Sequence, residues 1–356
     1  MPSQSRGTGR LGPALLVVSG CVTLAGCAEG QNMLSPHGQG AQDIASVFWV
    51  IFWMAAGVFV VVEGLLLFAI FRFRAPAGGG LPRQVQGNTP LEVAWTIVPA
   101  LVLAGVVVAT LATMKAVAAP APNALEVTVI GHQWWWEFRY PAQKVITSDE
   151  LHIPLNQPVT VHVTSDDVVH NFWIPELDRK LQALPGHDNV MSLTATKTGT
   201  YNGFCAEFCG VEHAMMRFTV VVQTPDAFNA WLQGQASPPA EPQTAQEKAG
   251  QQAFNSGGCN ICHQIGAMAP QGFPDPQAPS RLIIGPNLSH FASRQIMVAG
   301  AMPNDPTDMQ HWLQDPNAVK QGNLMSTFIH GPSQGQPSSL SPQQVQDLTA
   351  YLESLK

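Results

Sequence analysis

The chain has 356 residues, of which 46% are hydrophobic and 12% charged, a charged share about half that of a soluble globular protein. That imbalance implies segments living in lipid, and the length suits two or three domains rather than one. Seventeen basic and 24 acidic side chains leave a net charge of −7, which excludes a general nucleic-acid binder.

The apolar content also excludes disorder throughout, although 29 Pro and 31 Gly predict stretches of linker. Six Cys fall into three local pairs, Cys21/Cys27, Cys205/Cys209 and Cys259/Cys262. Each pair has its own context, which reads against a disulfide framework. At the start, Arg6 and Arg10 precede an apolar run over 11–25 that ends in Leu24-Ala25-Gly26-Cys27. A basic region, an apolar region and a small-residue cleavage site predict a secretory signal over 1–26. Leu-Ala-Gly-Cys resembles a bacterial lipobox, which implies lipidation of Cys27. Ser19-Gly20-Cys21 is an alternative site, and an ordinary signal with two incidental cysteines is a third reading.

Residues 27–120 hold two further apolar stretches, 47–71 and 94–114. Each reaches the ~20 residues that cross a bilayer as a helix, so they predict a two-helix transmembrane hairpin. The loop over 71–90 carries Arg72, Arg74 and Arg83 and no acid, whereas the flank before the first span carries Glu29 and Asp43 and no base. The positive-inside rule then puts this loop in the cytoplasm and everything after about residue 120 outside it. Glu63 lies within the first span, where it must be protonated or paired inside a helix bundle. Glu92 opens the second span in the segment 90–99, where the helix dipole favours a carboxylate.

From 121 to 232 the texture changes to short β-branched runs at 127–130, 159–164, 190–194 and 218–222. They are punctuated by Asn156, Pro185-Gly186 and Thr198-Gly199. This predicts an all-β sandwich or barrel. Near its end, Cys205 and Cys209 stand four apart, His213 four further on and Met216 three beyond that, with His170 preceding Cys205 by 35 residues. Thiolate, imidazole and thioether together favour copper, whereas a structural zinc site adds Cys or His rather than Met. A blue-copper ion needs one Cys, while two in one loop can bridge two coppers. A disulfide across the loop is the plain alternative.

Residues 233–246 are rich in Gln, Ala, Pro and Ser and read as an extended, semi-stiff tether. Over 247–356 follows a third domain, in which Cys259-Asn260-Ile261-Cys262-His263 forms a haem c attachment motif. Two Cys bind the haem vinyls and His263 is placed to ligate iron. A redox dithiol or a zinc half-site is the alternative reading. From residue 246 onward there are five basic and seven acidic side chains, too few bases for a strongly basic carrier surface. Five Met follow the motif as candidates for the second iron ligand. Met268 is too close to His263, Met297 and Met309 lie in helix-like stretches, Met302 precedes Pro303 in a loop, and Met325 lies in a loop before the last helix. His37, His152, His162, His290, His311 and His330 fit no ligand pattern.

Over about 45–225 the chain resembles subunit 2 of haem–copper cytochrome c oxidase, whose copper centre is the binuclear CuA. The resemblance rests on Glu92-x-x-Trp95-Thr96-Ile97-x-Pro99, on Gly131-His132-Gln133-Trp134-Trp135-Trp136, on the His170 loop and on the segment 205–216. It implies a cupredoxin-like sandwich in which Cys205 and Cys209 bridge both coppers. His170 and Met216 would complete one ion, and His213 with the Glu207 backbone carbonyl the other. It further implies that the Glu207 side chain faces a magnesium ion at subunit 1, that electrons enter through Trp134, and that Glu92 lies at the mouth of a proton path. For the run 134–136, plain packing is the alternative. The chain departs from the family at Gln182 and His187, where Asp and Arg commonly face subunit 1. The last domain resembles class I cytochrome c in the attachment motif, a helix over 246–256, Gly285-Pro286-Asn287-Leu288 and a closing helix over 341–355. This implies an all-α domain with haem in its core and Met325 as second iron ligand, although the usual Pro after that Met is Ser326.

These resemblances imply the electron-input subunit of a bacterial terminal oxidase, a two-pass protein of the inner membrane with a fused cytochrome c. A donor cytochrome or a quinol-oxidising complex would reduce the haem, the haem would reduce CuA, and CuA would pass electrons to subunit 1, where oxygen is reduced and protons are pumped. Two other readings are a copper-handling or assembly protein, and the electron-transfer subunit of another CuA-using reductase. The first needs exchangeable ligands and the second a further catalytic domain.

Overall fold

The computed structural model describes residues 32–74, 84, 86–118, 121–266, 271–274, 282–330 and 339–356. The signal segment with Cys27, and also Arg83 and Met268, lie outside the described residues.

Two long helices come first, α1 (Gln39–Arg72) and α2 (Thr89–Ala118). Their apolar side chains point outward, with Phe59, Val108 and Phe71 at 65%, 69% and 76% exposure. Water does not tolerate so long an apolar surface, which marks it as a face for lipid. Both helices are long and apolar enough to cross a membrane. The helix α1 begins eight residues before the apolar run predicts. Its 34 residues span about 51 Å, well beyond the ~30 Å hydrocarbon layer. The extra turns are held by the next domain: the amides of His37, Gln39 and Ala41 donate to the carbonyls of Glu176, Thr194 and Leu177. A Cβ on Gly38 or Gly40 would meet Leu177 or Asp178 at 2.1 and 2.4 Å, so the close approach depends on glycine.

Ten strands follow: β1 (Leu125–His132), β2 (Trp135–Tyr140), β3 (Val145–Ser148), β4 (Glu150–Pro154) and β5 (Val159–Ser165), then β6 (His170–Trp173), β7 (Leu181–Ala183), β8 (Asn189–Leu193), β9 (Gly199–Cys205) and β10 (Arg217–Gln223). They form a sandwich of two five-stranded sheets, ordered β3-β2-β1-β5-β8 and β4-β10-β9-β6-β7. The pairs β1/β5 and β4/β10 are parallel. Strand alternation buries Val159, Val161 and Val163 of β5 completely, as a period of two requires. Trp136, Phe138, Phe172 and Phe218 fill the space between the sheets, with the Phe172 and Phe218 rings stacked at 4.7 Å. Each such burial stabilises by roughly 1.5–3 kcal/mol. The four β-branched runs fall in β1, β5, β8 and β10. The other strands are short or mixed in composition, so periodicity does not reveal them.

The expected tether over 233–246 is shorter than composition implies. Residues 233–236 are the last turn of α3 (Pro225–Ala236), and 245–246 already belong to α4 (Ala245–Ser256). Phe228 and Leu232 bury α3 against the sandwich, and Trp231 stacks on His152 at 3.9 Å. Tertiary packing overrides the weak helical tendency of this Gln-rich stretch.

The final domain is helical, with α4, α5 (Cys259–Cys262), two short ribbons, β11/β12 (Phe273–Pro274 and Leu282–Ile283) and β13/β14 (Ile296–Met297 and Met302–Pro303), and then α6 (Pro306–Gln314), α7 (Pro316–Val319), α8 (Leu324–His330) and α9 (Pro342–Ser354). Capping boxes start α4 at Thr244/Glu247 and α9 at Ser341/Gln344, which is why both helices begin within a residue of their expected starts. Three expectations are corrected. Met325 lies in the first turn of α8 rather than in a loop, because the Asn323 side chain accepts the Ser326 amide and starts a helix there. Met297 and Met302 sit opposite each other in a ribbon, the first not in a helix and the second not in a loop.

Candidate metal and haem site

The strand β9 ends at Cys205, beside β6, whose residue Phe172 is its register partner. That pairing brings His170 to the two-cysteine loop. The His170 Nε2 lies 2.7 Å from Asp167 Oδ1, which orients the ring with Nδ1 facing Cys205 Sγ at 3.9 Å. A carboxylate behind a ligating imidazole is the usual orienting device. Cys205 Sγ lies 3.1 Å from the Glu207 carbonyl and 3.7 Å from Cys209 Sγ. Cys209 Sγ in turn lies 3.7 Å from His213 Nδ1 and 3.8 Å from Met216 Sδ. Cys205, Cys209, His170 and Met216 are buried, His213 is half-buried and the Glu207 side chain is exposed.

The sulfur separation rules out a disulfide, which needs about 2.05 Å. It does match two thiolates on one ion, since metal–sulfur bonds of about 2.3 Å at a near-tetrahedral angle put the sulfurs about 3.7 Å apart. Electrostatics point the same way. The Cys205 thiol is pushed down to about 3, chiefly by the Cys209 thiol and further by His170 and backbone amides. The Cys205 thiolate in turn holds the Cys209 proton well above the ordinary thiol range. The loop thus gives up one proton readily and keeps the second, which a soft cation displaces on binding. Two thiolates, two imidazoles, a thioether and a carbonyl suit copper.

Trp134 sits on this loop. Its indole N–H and the Gln133 side-chain Nε2 both donate to the Cys209 carbonyl, at 3.0 and 2.8 Å. Gly210 passes beneath the indole with φ +125, and a Cβ there would meet the ring at 2.7 Å, so only glycine lets the loop close this tightly.

The same Trp134 lines a cavity of about 400 Å³ that runs into the cytochrome-like domain. Cys259, Cys262, His263, Met297, Met309 and Met325 line it too. Met302 is not among the described lining residues. His263 Nδ1 lies 2.9 Å from the Pro286 carbonyl, and burial lowers the basicity of the ring. A neutral imidazole that donates from Nδ1 keeps the Nε2 lone pair for a metal. Burial raises both Cys259, to about 11, and Cys262. A redox dithiol needs a low-pKa thiolate, so that alternative loses its support. The buried, largely apolar cavity with two thiols at one edge fits a covalently held haem.

The copper-type loop and the cavity share a wall, which motif reading did not anticipate. Trp134, Trp135, Asp149 and Glu212 reach the cavity from the sandwich. Buried Lys320 lies 3.1 Å from Glu212 and donates to the Trp134 carbonyl at 2.8 Å. Glu150 accepts the Ile296 amide at 3.0 Å, and Ser148 accepts the Asn287 amide at 3.2 Å. Burial raises Asp149 to about 6 despite the nearby Lys320 and Arg294. Asp167 was within reach of sequence reasoning through its three-residue spacing to His170. Lys320 had no local signal.

Glu92 stands apart from both centres, at the end of α2 remote from the sandwich, where its carboxylate accepts the Asn88 amide at 3.1 Å. Gln182 and His187 are exposed. Of the remaining histidines, His37 pairs with Glu176, His152 with Gln223, and His162 lies between Glu126 and Asp188.

Residues 29–113 match the family described as cytochrome c oxidase subunit II, transmembrane domain, and residues 142–224 its periplasmic domain. Residues 247–356 match cytochrome c. Cytochrome c oxidase subunit 2 of Alkalihalophilus pseudofirmus is 31% identical over 94% of each chain, and that of a Bacillus species is 34% identical over 80% of each. Among solved structures, the periplasmic domain of subunit II of cytochrome oxidase from Bradyrhizobium japonicum aligns with a TM-score of 0.31 and 31% identity, over 32% of this chain and 95% of that one. With a relative alike from end to end, and both parts of the family plus a cytochrome c domain matched in order, the chain belongs to the cytochrome c oxidase subunit 2 family.

Proposed function

We propose that this chain is the electron-input subunit of a haem–copper terminal oxidase in a bacterial inner membrane. The carrying observation is the shared wall, since one residue, Trp134, both lines the haem-sized cavity and donates to the carbonyl of Cys209. When bound, the haem and the copper pair supply one-electron chemistry between an outside donor and the oxygen-reducing subunit. Cys259 and Cys262 would hold the haem covalently, and His263 and Met325, which line the same cavity, would ligate its iron. Cys205, Cys209, His170, Met216, His213 and the Glu207 carbonyl would hold the coppers. The protein's work is to exclude water from both centres and to keep the ligands rigid, so that little reorganises when charge moves. Arg72 in the last turn of α1 and Arg74 just beyond it support a cytoplasmic loop, which puts both cofactor domains outside. The donor is a cytochrome or a quinol-oxidising complex, and the acceptor is subunit 1. Glu92 is assigned to the mouth of a proton path in that subunit.

Purified full-length chain is expected to contain two coppers and one covalent haem, with the copper reduced rapidly when the haem is reduced by a light pulse. One copper per chain, or a haem that leaves its electron on the protein without reducing copper, would overturn this reading. Met325→Leu should open a coordination position, lower the haem potential and admit carbon monoxide or cyanide, whereas Met302→Leu should leave the absorption spectrum nearly unchanged. The reverse pattern would move the assignment to Met302.

A further inference from the structure

Lys320 and Glu212 form an ion pair of 3.1 Å across the boundary between the two cofactor domains, with side chains only 6% and 3% exposed. Burying two charges is costly, and such a pair is a poor source of stability compared with apolar packing. Its position is informative. Glu212 directly precedes His213, and among the described residues its Oε1 has no hydrogen-bond partner, so Lys320 is the one described polar contact of its carboxylate. The same ammonium donates to the Trp134 carbonyl at 2.8 Å, and the Trp134 ring donates to Cys209. On the other side, the Lys320 carbonyl accepts from the Asn323 side chain at 2.6 Å. Asn323 also accepts the Ser326 amide and so starts α8, the helix of Met325.

We infer that Lys320 is a positioning residue that clamps the haem-bearing domain onto the copper loop and holds Trp134 between them. One unbroken polar chain runs from the Met325 helix through Asn323 and Lys320 to Trp134, Glu212 and the two-cysteine loop. Three buried acids of the sandwich, Asp149, Glu150 and Glu212, stand against Arg294 and Lys320 of the cytochrome domain. The cytochrome domain is therefore seated in a fixed pose, and its exchange with copper needs no diffusional docking step. This inference rests on the haem and copper assignment above.

The test uses the full-length loaded chain with Lys320→Met and with Lys320→Met/Glu212→Gln. Lys320→Met should slow haem-to-copper transfer about tenfold or more, because the Trp134 carbonyl loses its donor and the ring no longer stays fixed between the two centres. The absorption spectra and potentials of both centres should stay as in the wild type. Hydrogen exchange should rise at the amides of 133–136 and 210–213. The double variant removes the stranded carboxylate and should recover thermal stability, while transfer remains slow because the Trp134 carbonyl still lacks its donor. Wild-type transfer and exchange in Lys320→Met, or full recovery of transfer in the double variant, would overturn the clamp. Missing copper or haem in the wild-type chain would count instead against the functional reading, and the exchange measurement would still decide the clamp.

Discussion

Cys205→Ser and Cys209→Ser are each expected to abolish the copper pair rather than weaken it. Each sulfur stands within 3.9 Å of donors belonging to both proposed ions. Cys205 neighbours His170, the Glu207 carbonyl and Cys209, and Cys209 neighbours His213 and Met216. A serine hydroxyl is harder, holds its proton far more tightly and is a poor ligand for a soft metal. Copper content should fall from two per chain to one or none, and the mixed-valence electron paramagnetic signal should disappear. The sandwich should stay folded, because its core rests on Trp136, Phe138, Phe172 and Phe218. Met216→Leu should keep both ions and mainly shift the potential, as a weak thioether ligand tunes more than it binds. Two coppers retained in either serine variant would sink the bridging assignment.

The second large effect concerns the haem. A cavity of about 400 Å³ is too large for a small domain to leave empty. Each large apolar side chain that loses its haem contact forfeits up to roughly 1.5–3 kcal/mol of burial, and several such losses rival the whole stability of a small domain, about 5–15 kcal/mol. Cys259→Ala/Cys262→Ala, which cannot hold the haem covalently, should therefore leave the cytochrome domain open to proteolysis after about residue 236. The sandwich should survive as a resistant fragment, since its core is separate from the cluster of Phe254, Phe291, Leu348 and Leu352. Native protease resistance of the haem-free cytochrome domain would show that the domain folds without haem.

Much of this was open to reading from the chain alone. The apolar runs of α1 and α2, the two-cysteine loop, the attachment motif and the capping residues Thr244, Glu247, Ser341 and Gln344 each act over a few positions. Their physics is local: a hydropathy run, a bond between residues three apart, or donors gathered on one short loop. The helix α3 was missed for the opposite reason, because Trp231 needs His152 from another strand to make its burial favourable. The loop reading of Met325 failed although the signal is local, since Asn323 bonds the Lys320 carbonyl and the Ser326 amide, each three residues away, and so caps α8.

The sequence by itself determined the order of the membrane, sandwich and cytochrome domains and the grouping of soft donors on one loop, because hydropathy runs and short-range spacing specify them. Only the tertiary structure decided how the two cofactor domains meet. Trp134, Glu212 and Lys320 are separated by up to 186 residues, and no local pattern encodes which buried charge will find which partner. That choice is made by the packed interface, where an ammonium removed from water is tolerated only if a carboxylate and a carbonyl are already in place to receive it.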